Sequence, residues 1–180
     1  MRDALTSIAE GREPKSPPPD VDEWNDAELP GGIGTPLADA AARSDHLLTE
    51  IIELYGRVGE RPFAWYAANN TTDAVLRNSY THPRLHLAAY WRENGFHDNA
   101  LKLWLDARNE LRAAEAPPRF HAWAAYNLAC IKVDDGNLDE GLELLRESLP
   151  INEVLRKAAP DDEDLAPLRE DPRFQELLKS

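Results

Sequence analysis

The chain has 180 residues, of which 20 are Lys or Arg and 33 are Asp or Glu, for a formal charge of −13. That length supports one compact domain, or roughly one and a half, with a real core. The charge argues against nucleic acid or an anionic membrane as a partner. A single cysteine, Cys130, excludes an internal disulfide and a thiolate-rich zinc site. No apolar run reaches the roughly 18–20 residues of a membrane helix. The opening MRDALTSIAEGREPK lacks a signal-peptide core, so a cytoplasmic location is expected.

Residues 2–10 are expected to form a short helix ending at Gly11. Residues 11–34 carry Pro14, Pro17, Pro18, Pro19 and Pro30 with Gly31, Gly32 and Gly34. Prolines and glycines at this density do not propagate a helix and leave few donors for a sheet. An extended arm is expected, broken by one turn at residues 21–27, with Trp24 available to pin it down.

Thr35-Pro36 then opens the first long helix, with threonine suited to the cap and proline to the first turn. Leu37, Ala40, Ala41, Leu47, Leu48, Ile51, Ile52, Leu54 and Tyr55 give it a broad apolar face as far as Gly56–Gly59. A loop containing Arg61-Pro62 and Asn69-Asn70 follows, and Thr71 or Thr72 is expected to cap a second helix. Pro83 obstructs that helix, because an internal proline removes a hydrogen bond and clashes with the preceding turn at about 3 kcal/mol. The helix therefore kinks near residues 79–82, or ends there and restarts at Pro83.

Two helix pairs follow. The first joins residues 83–95 to 99–115. The second is YNLACIKVDDGNLDEGLELLRESL at 126–149, where Tyr126, Leu128, Ala129, Val133, Leu138, Leu142 and Leu145 form two apolar stripes. Asp134-Asp135-Gly136-Asn137 interrupts them as a turn. Aligning Gly95 with Gly136 matches Ala88 to Ala129, Leu87 to Leu128, Ala100 to Gly141 and Trp104 to Leu145. Small residues at Ala88, Ala100, Ala129 and Gly141 let paired helices close. A short helix at 151–158, an acidic turn at Asp161–Asp164 and a closing helix at 172–179 complete the chain. Nothing reads as a strand, and the expected class is all-α: a helical hairpin packed on two further hairpins, plus short C-terminal helices.

These hairpins, with the tail DEDLAPLREDPRFQELL, resemble tetratricopeptide repeats over about residues 83–180. The 41-residue offset exceeds the roughly 34 of that repeat, and longer helices with the Pro117-Pro118 turn absorb the difference. The earlier segments PPPDVDEWN, SDHLLTEIIELYGRV, RPFAW and TTDAVLRNSYTHPRLHLAAYWREN resemble part of the DinB-like four-helix bundle family, closest to its colibactin self-resistance type. Three parts are therefore expected: a proline/glycine-rich arm at 1–34, a DinB-like helical hairpin remnant at 35–82, and tetratricopeptide-like repeats with an end segment at 83–180. The DinB-like resemblance implies a divalent metal held by an HxxxH pair, here His82 and His86, with His46 or His97 as a makeshift third ligand. The chain starts after that family's first helix and upstream histidine, and Pro83 sits inside the pair. Two histidines make an incomplete site, so half-buried helix residues are the expected role for both, and no cofactor is expected.

Cys130 lies on an apolar helix, with Lys132 offset by Asp134 and Asp135, and is expected as a small packing residue, not a nucleophile. Gly31-Gly32-Ile33-Gly34 lacks the lysine and preceding strand of a phosphate loop. Trp91, Trp104 and Trp123 fall at interior helix positions. The repeat resemblance places Leu85, Ala89, Arg92, Trp123, Tyr126, Asn127 and Cys130 along a concave, mostly apolar groove suited to a peptide or helix. The expectation is a non-enzymatic protein- or peptide-binding helical repeat protein, with a second copy of the chain as a further partner through the 35–58 helix. The alternative is a divalent-metal-dependent DinB-like hydrolase or thiol transferase.

Overall fold

A computed structural model describes residues 1–16, 20–66 and 68–179. Pro17, Pro18 and Pro19 of the expected arm lie outside the described residues. The chain divides into two compact units, Met1–Pro83 and Arg84–Ser180. The class is all-α, with one small antiparallel hairpin of strands. No helix among the described residues is long and apolar enough to cross a membrane.

In the first unit, α1 (Arg2–Ala9) packs on α3 (Leu37–Val58), burying Leu5 against Ile51, Leu54 and Val58. Residues 1–34 are therefore not all arm, since their first helix belongs to the core. The segment expected to be extended is also different: residues Val21–Gly32 form helix α2. Asp20 accounts for this, because its side chain accepts a 3.0 Å bond from the Glu23 amide while Asp22 and Glu23 sit at the favourable end of the dipole. Pro30 falls in the last turn, near where the helix stops. Pro30, Gly31 and Gly32 thus form the last residues of a capped helix, and Gly34 follows it. Trp24 is not pinned: it is 53% exposed.

Strands β1 (Pro62–Trp65) and β2 (Ala68–Asn70) pair Pro62 with Asn70 and Trp65 with Ala68, a hairpin that sequence reading missed. Its residues look like loop because of Pro62 and the two asparagines. Thr71 closes it: the buried hydroxyl donates to the Gly59 carbonyl at 2.7 Å and accepts from the Arg61 amide at 3.0 Å. Those bonds tie the hairpin to the end of α3, where Gly59 holds a φ of +66°. The cap of α4 (Thr71–Leu76) is neither threonine but Asn70, which accepts from the Asp73 amide at 2.8 Å.

The helix does not restart at Pro83, which is the second residue of α5 (His82–Glu93). A π turn over Arg77–Thr81 precedes α5, with the His82 amide bonding to the Arg77 carbonyl five residues back. Widening the helix by one residue moves the carbonyl that the proline ring would strike.

The second unit holds the rest of α5 with α6 (His97–Ala113), α7 (Pro118–Asp134), α8 (Leu138–Ser148), α9 (Glu153–Ala158), two 3₁₀ turns at Ala159–Asp161 and Glu163–Leu168, and α10 (Pro172–Leu177). Both expected turns are present, with Gly95 and Gly136 at φ of +78° and +80°. Helix α7 is the centre: Phe120, Ala122, Ala124, Ala125, Tyr126, Leu128, Ala129, Cys130, Ile131 and Val133 are all buried. Ala88, Ala100, Ala129 and Gly141 are buried too. A Cβ on Gly141 would stand 2.6 Å from Val133 Cγ2, so α7 and α8 touch nearly backbone to backbone. The internal symmetry is imperfect, because Leu87 is exposed where its counterpart Leu128 is buried.

Overpacking this contact is expected to be costly. Ala129→Leu should lower stability by roughly 1–3 kcal/mol. Gly141→Ala should also destabilise, despite the ~1 kcal/mol by which alanine is the better helix former. Combining Gly141→Ala with Val133→Ala should be less destabilising than the two single changes summed. Urea unfolding midpoints check all three; an unchanged Ala129→Leu midpoint contradicts the α7–α8 register.

Candidate functional site

The residues expected from the sequence to line an inner strip lie on two helices of the second unit. Helix α5 supplies Leu85, Ala89 and Arg92, one turn apart along one face. Helix α7 supplies Trp123, Tyr126, Asn127 and Cys130 at the same kind of spacing. Leu85 and Ala89 are exposed, and Trp123 and Asn127 are half-buried. Trp123 meets the buried Trp104 edge to face at 4.8 Å, and Asn127 bonds back to the Trp123 carbonyl at 2.9 Å. This half of the strip is open.

The other half is occupied by the chain itself. Helix α7 packs against the 3₁₀ turn Glu163–Leu168, whose Leu165 and Leu168 are fully buried. Tyr126 is buried and its hydroxyl donates to Asp162 at 2.7 Å. Arg92 grips Asp164 with both guanidinium nitrogens, at 2.7 and 2.8 Å, and reaches Asp134 at 3.2 Å. Two parallel charge-assisted bonds of this kind fix position as well as adding energy. The strip is therefore polar at this end, and Asp134, Asp162 and Asp164 are the members that sequence reasoning left out. The signal was present as the acidic turn and the DEDLAPLRE segment, but no spacing rule pairs residue 92 with residue 164.

Cys130, Asp162 and Asp164 bring their sulfur and carboxylate oxygens within 4.8 Å of one another. The electrostatics favour a protonated thiol. Burial first, then the carboxylates of Asp162 and Asp164, push the Cys130 thiol well above its ordinary range, and Arg92 opposes this only in part. Burial and the bond to Asp162 likewise push the Tyr126 phenol up. The cation at this cluster is the guanidinium of Arg92, whose own pKa is raised chiefly by its bonds to Asp164.

His82 and His86 stand one turn apart near the start of α5, both exposed. Among the described residues they join no group of three histidine, cysteine or carboxylate side chains close enough to share an ion. His46 lies 3.6 Å from Glu50, its neighbour one turn along α3, and His97 opens α6.

Removing the clamp should be measurable. Arg92→Ala is expected to lower stability by about 1–2 kcal/mol, the range for partly exposed hydrogen bonds between charged groups. Arg92→Lys should recover only part of it, since an ammonium cannot make the fork; chemical denaturation of the three proteins checks this.

The raised thiol and phenol also set a pH dependence. Both groups release their protons in the unfolded chain, near 8.5 for cysteine and 10 for tyrosine, before they do so in the folded one. Stability should thus be level through neutral pH and fall as pH rises above roughly 8.5. In denaturation midpoints measured against pH, Cys130→Ala should flatten the first part of the fall and Tyr126→Phe the second.

A scan against protein-family models and searches of curated proteins and of solved structures return no match to this chain, so a functional reading rests on the residues themselves.

Proposed function

We propose that the chain is a non-enzymatic binding protein whose second unit takes a peptide segment of another protein along the inner strip of α5 and α7. One observation carries the reading. Part of the inner face of α7 already receives a short helical turn, Glu163–Leu168, through buried leucines and a polar clamp, while Leu85 and Ala89 of the same strip remain exposed. A surface that accommodates one such turn is suited to a second, entering beside Trp123 and Asn127.

The chemistry of the ligand follows from what lines the open half. Leu85, Ala89 and the half-buried Trp123 ask for apolar side chains at helical spacing. The formal charge of −13 favours lysine or arginine on the flanks, for encounter and for orientation. Tyr126, Arg92 and Cys130 take no direct part, because the chain's own segment covers that end; their role is to hold the segment in place.

A displayed random-peptide library selected on the full chain tests this. Enriched peptides should combine apolar residues with basic flanks. Their affinity should drop at least about tenfold, or ~1.4 kcal/mol, for the Leu85→Glu/Ala89→Glu variant with its circular dichroism unchanged. Both positions are exposed, so the variant should fold. No enrichment, or peptides that bind both proteins equally, refutes the reading.

A further inference from the structure

The first unit carries two apolar surfaces that no described residue covers, and each has what the other lacks. Along α3, Leu37, Ala41, Ser44, Leu48, Ile51, Tyr55 and Val58 recur at alternating steps of four and three residues, the spacing of a helix seam. Helix α1 closes the second half of that seam over Ile51, Leu54 and Val58. The first half is bare: Leu37 is 85% exposed and Leu48 is 40% exposed. Beside it runs a groove of about 440 Å³ lined by Ala40, Arg43, Leu47, Leu48, Ile51 and Pro83 among others.

Helix α2 is the complementary object. It has no buried residue, and Val21, Trp24 and Leu29 stand in solvent. Its 12 residues match the 12 of the bare stretch from Leu37 to Leu48, about 18 Å of helix in each case. The charges match as well. Asp20, Asp22, Glu23, Asp26 and Glu28 make α2 acidic with no basic residue, whereas the charged residue lining the groove is Arg43.

The connection between the two helices decides which α3 is met. Ile33 and Pro36 are extended, with ψ of 129° and 137°, and Thr35 precedes a proline, which disfavours the helical region for it. This four-residue connection, which turns at Gly34 with a φ of +83°, leaves both α2 and the first half of its own α3 exposed. Short hinges between such elements favour exchange between identical chains.

We infer that α2 docks on the bare half of α3 in a second copy of this chain, Trp24 and Val21, one turn apart on α2, entering the groove beside Leu48 and Arg43, reciprocally about a two-fold axis. Exchange doubles the contact, which matters because a single helix pair of this length falls short of the ~1,200 Å² at which stable interfaces begin. The inference concerns the first unit and does not depend on peptide binding by the second.

The test is light scattering over a concentration range on surface variants of the full chain. Wild type should dimerise. Trp24→Glu, which spoils the arm, and Leu48→Glu, which spoils the groove, should each raise the dimer dissociation constant at least tenfold, about 1.4 kcal/mol. The Leu85→Glu/Ala89→Glu variant, which changes only the second unit, should dimerise as wild type does. Circular dichroism confirms that the variants fold. A wild type that is monomeric throughout, first-unit variants that dimerise as wild type does, or a second-unit variant that loses the dimer as they do would each overturn the inference.

Discussion

The second unit depends on how closely α7 and α8 approach. Helix α7 buries residues on every side, and a helix so enclosed needs small side chains where its neighbours press nearest. Ala122, Ala124, Ala125 and Ala129 supply that room on α7, and Gly141 supplies it on α8, where even a Cβ would strike Val133. Larger groups fill the space that remains. Leu142 and Leu145 of α8 are fully buried, and Trp104 of α6 is buried and meets Trp123 of α7 edge to face. Held this way, α7 is the platform against which α6, α8 and the Glu163–Leu168 turn pack.

That platform explains why the tail matters. Leu165, Leu168 and Phe174 are fully buried, so residues beyond α8 are part of the core and not an appendage. Arg92 and Tyr126 then fix the tail's orientation through Asp164 and Asp162. The hydrophobic contacts supply adhesion without direction, and the fork of Arg92 supplies direction. An apolar groove thereby becomes half groove and half polar clamp. The thiol of Cys130 is shielded by the same arrangement, since carboxylates and burial both disfavour a thiolate.

The first unit follows a different logic. Its core is small, with α1, the strand hairpin and α4 gathered on the second half of α3. Thr71 and Asn70 do the joining with short polar bonds at the places where elements change. The π turn before Pro83 solves a local conflict by inserting one residue into a helical turn, so that proline continues a helix it would otherwise break. What is left over, the bare half of α3 and the free α2, has matched length, and the groove beside α3 meets acidic α2 with Arg43.

The sequence by itself determined the helical class, the order of the long helices, the turns at Gly95 and Gly136, and the small residues where α7 and α8 meet. These are local quantities: apolar period, turn chemistry and side-chain size are written within a few residues of where they act. Spacing alone also put Leu85, Ala89 and Arg92 along one face of α5, and Trp123, Tyr126, Asn127 and Cys130 close together on α7. Only the tertiary structure decided which of them stay open. The bond from Arg92 to Asp164 joins residues 72 apart, and no periodicity encodes a partner at that distance. Helix α2 and the strand hairpin were misread for the opposite reason: one capping bond from Asp20 and two bonds to Thr71 outweighed a composition of proline, glycine and asparagine. Composition averages over many residues, whereas a cap or a closing hydroxyl acts at a single atom once the chain has brought its partner within 3 Å.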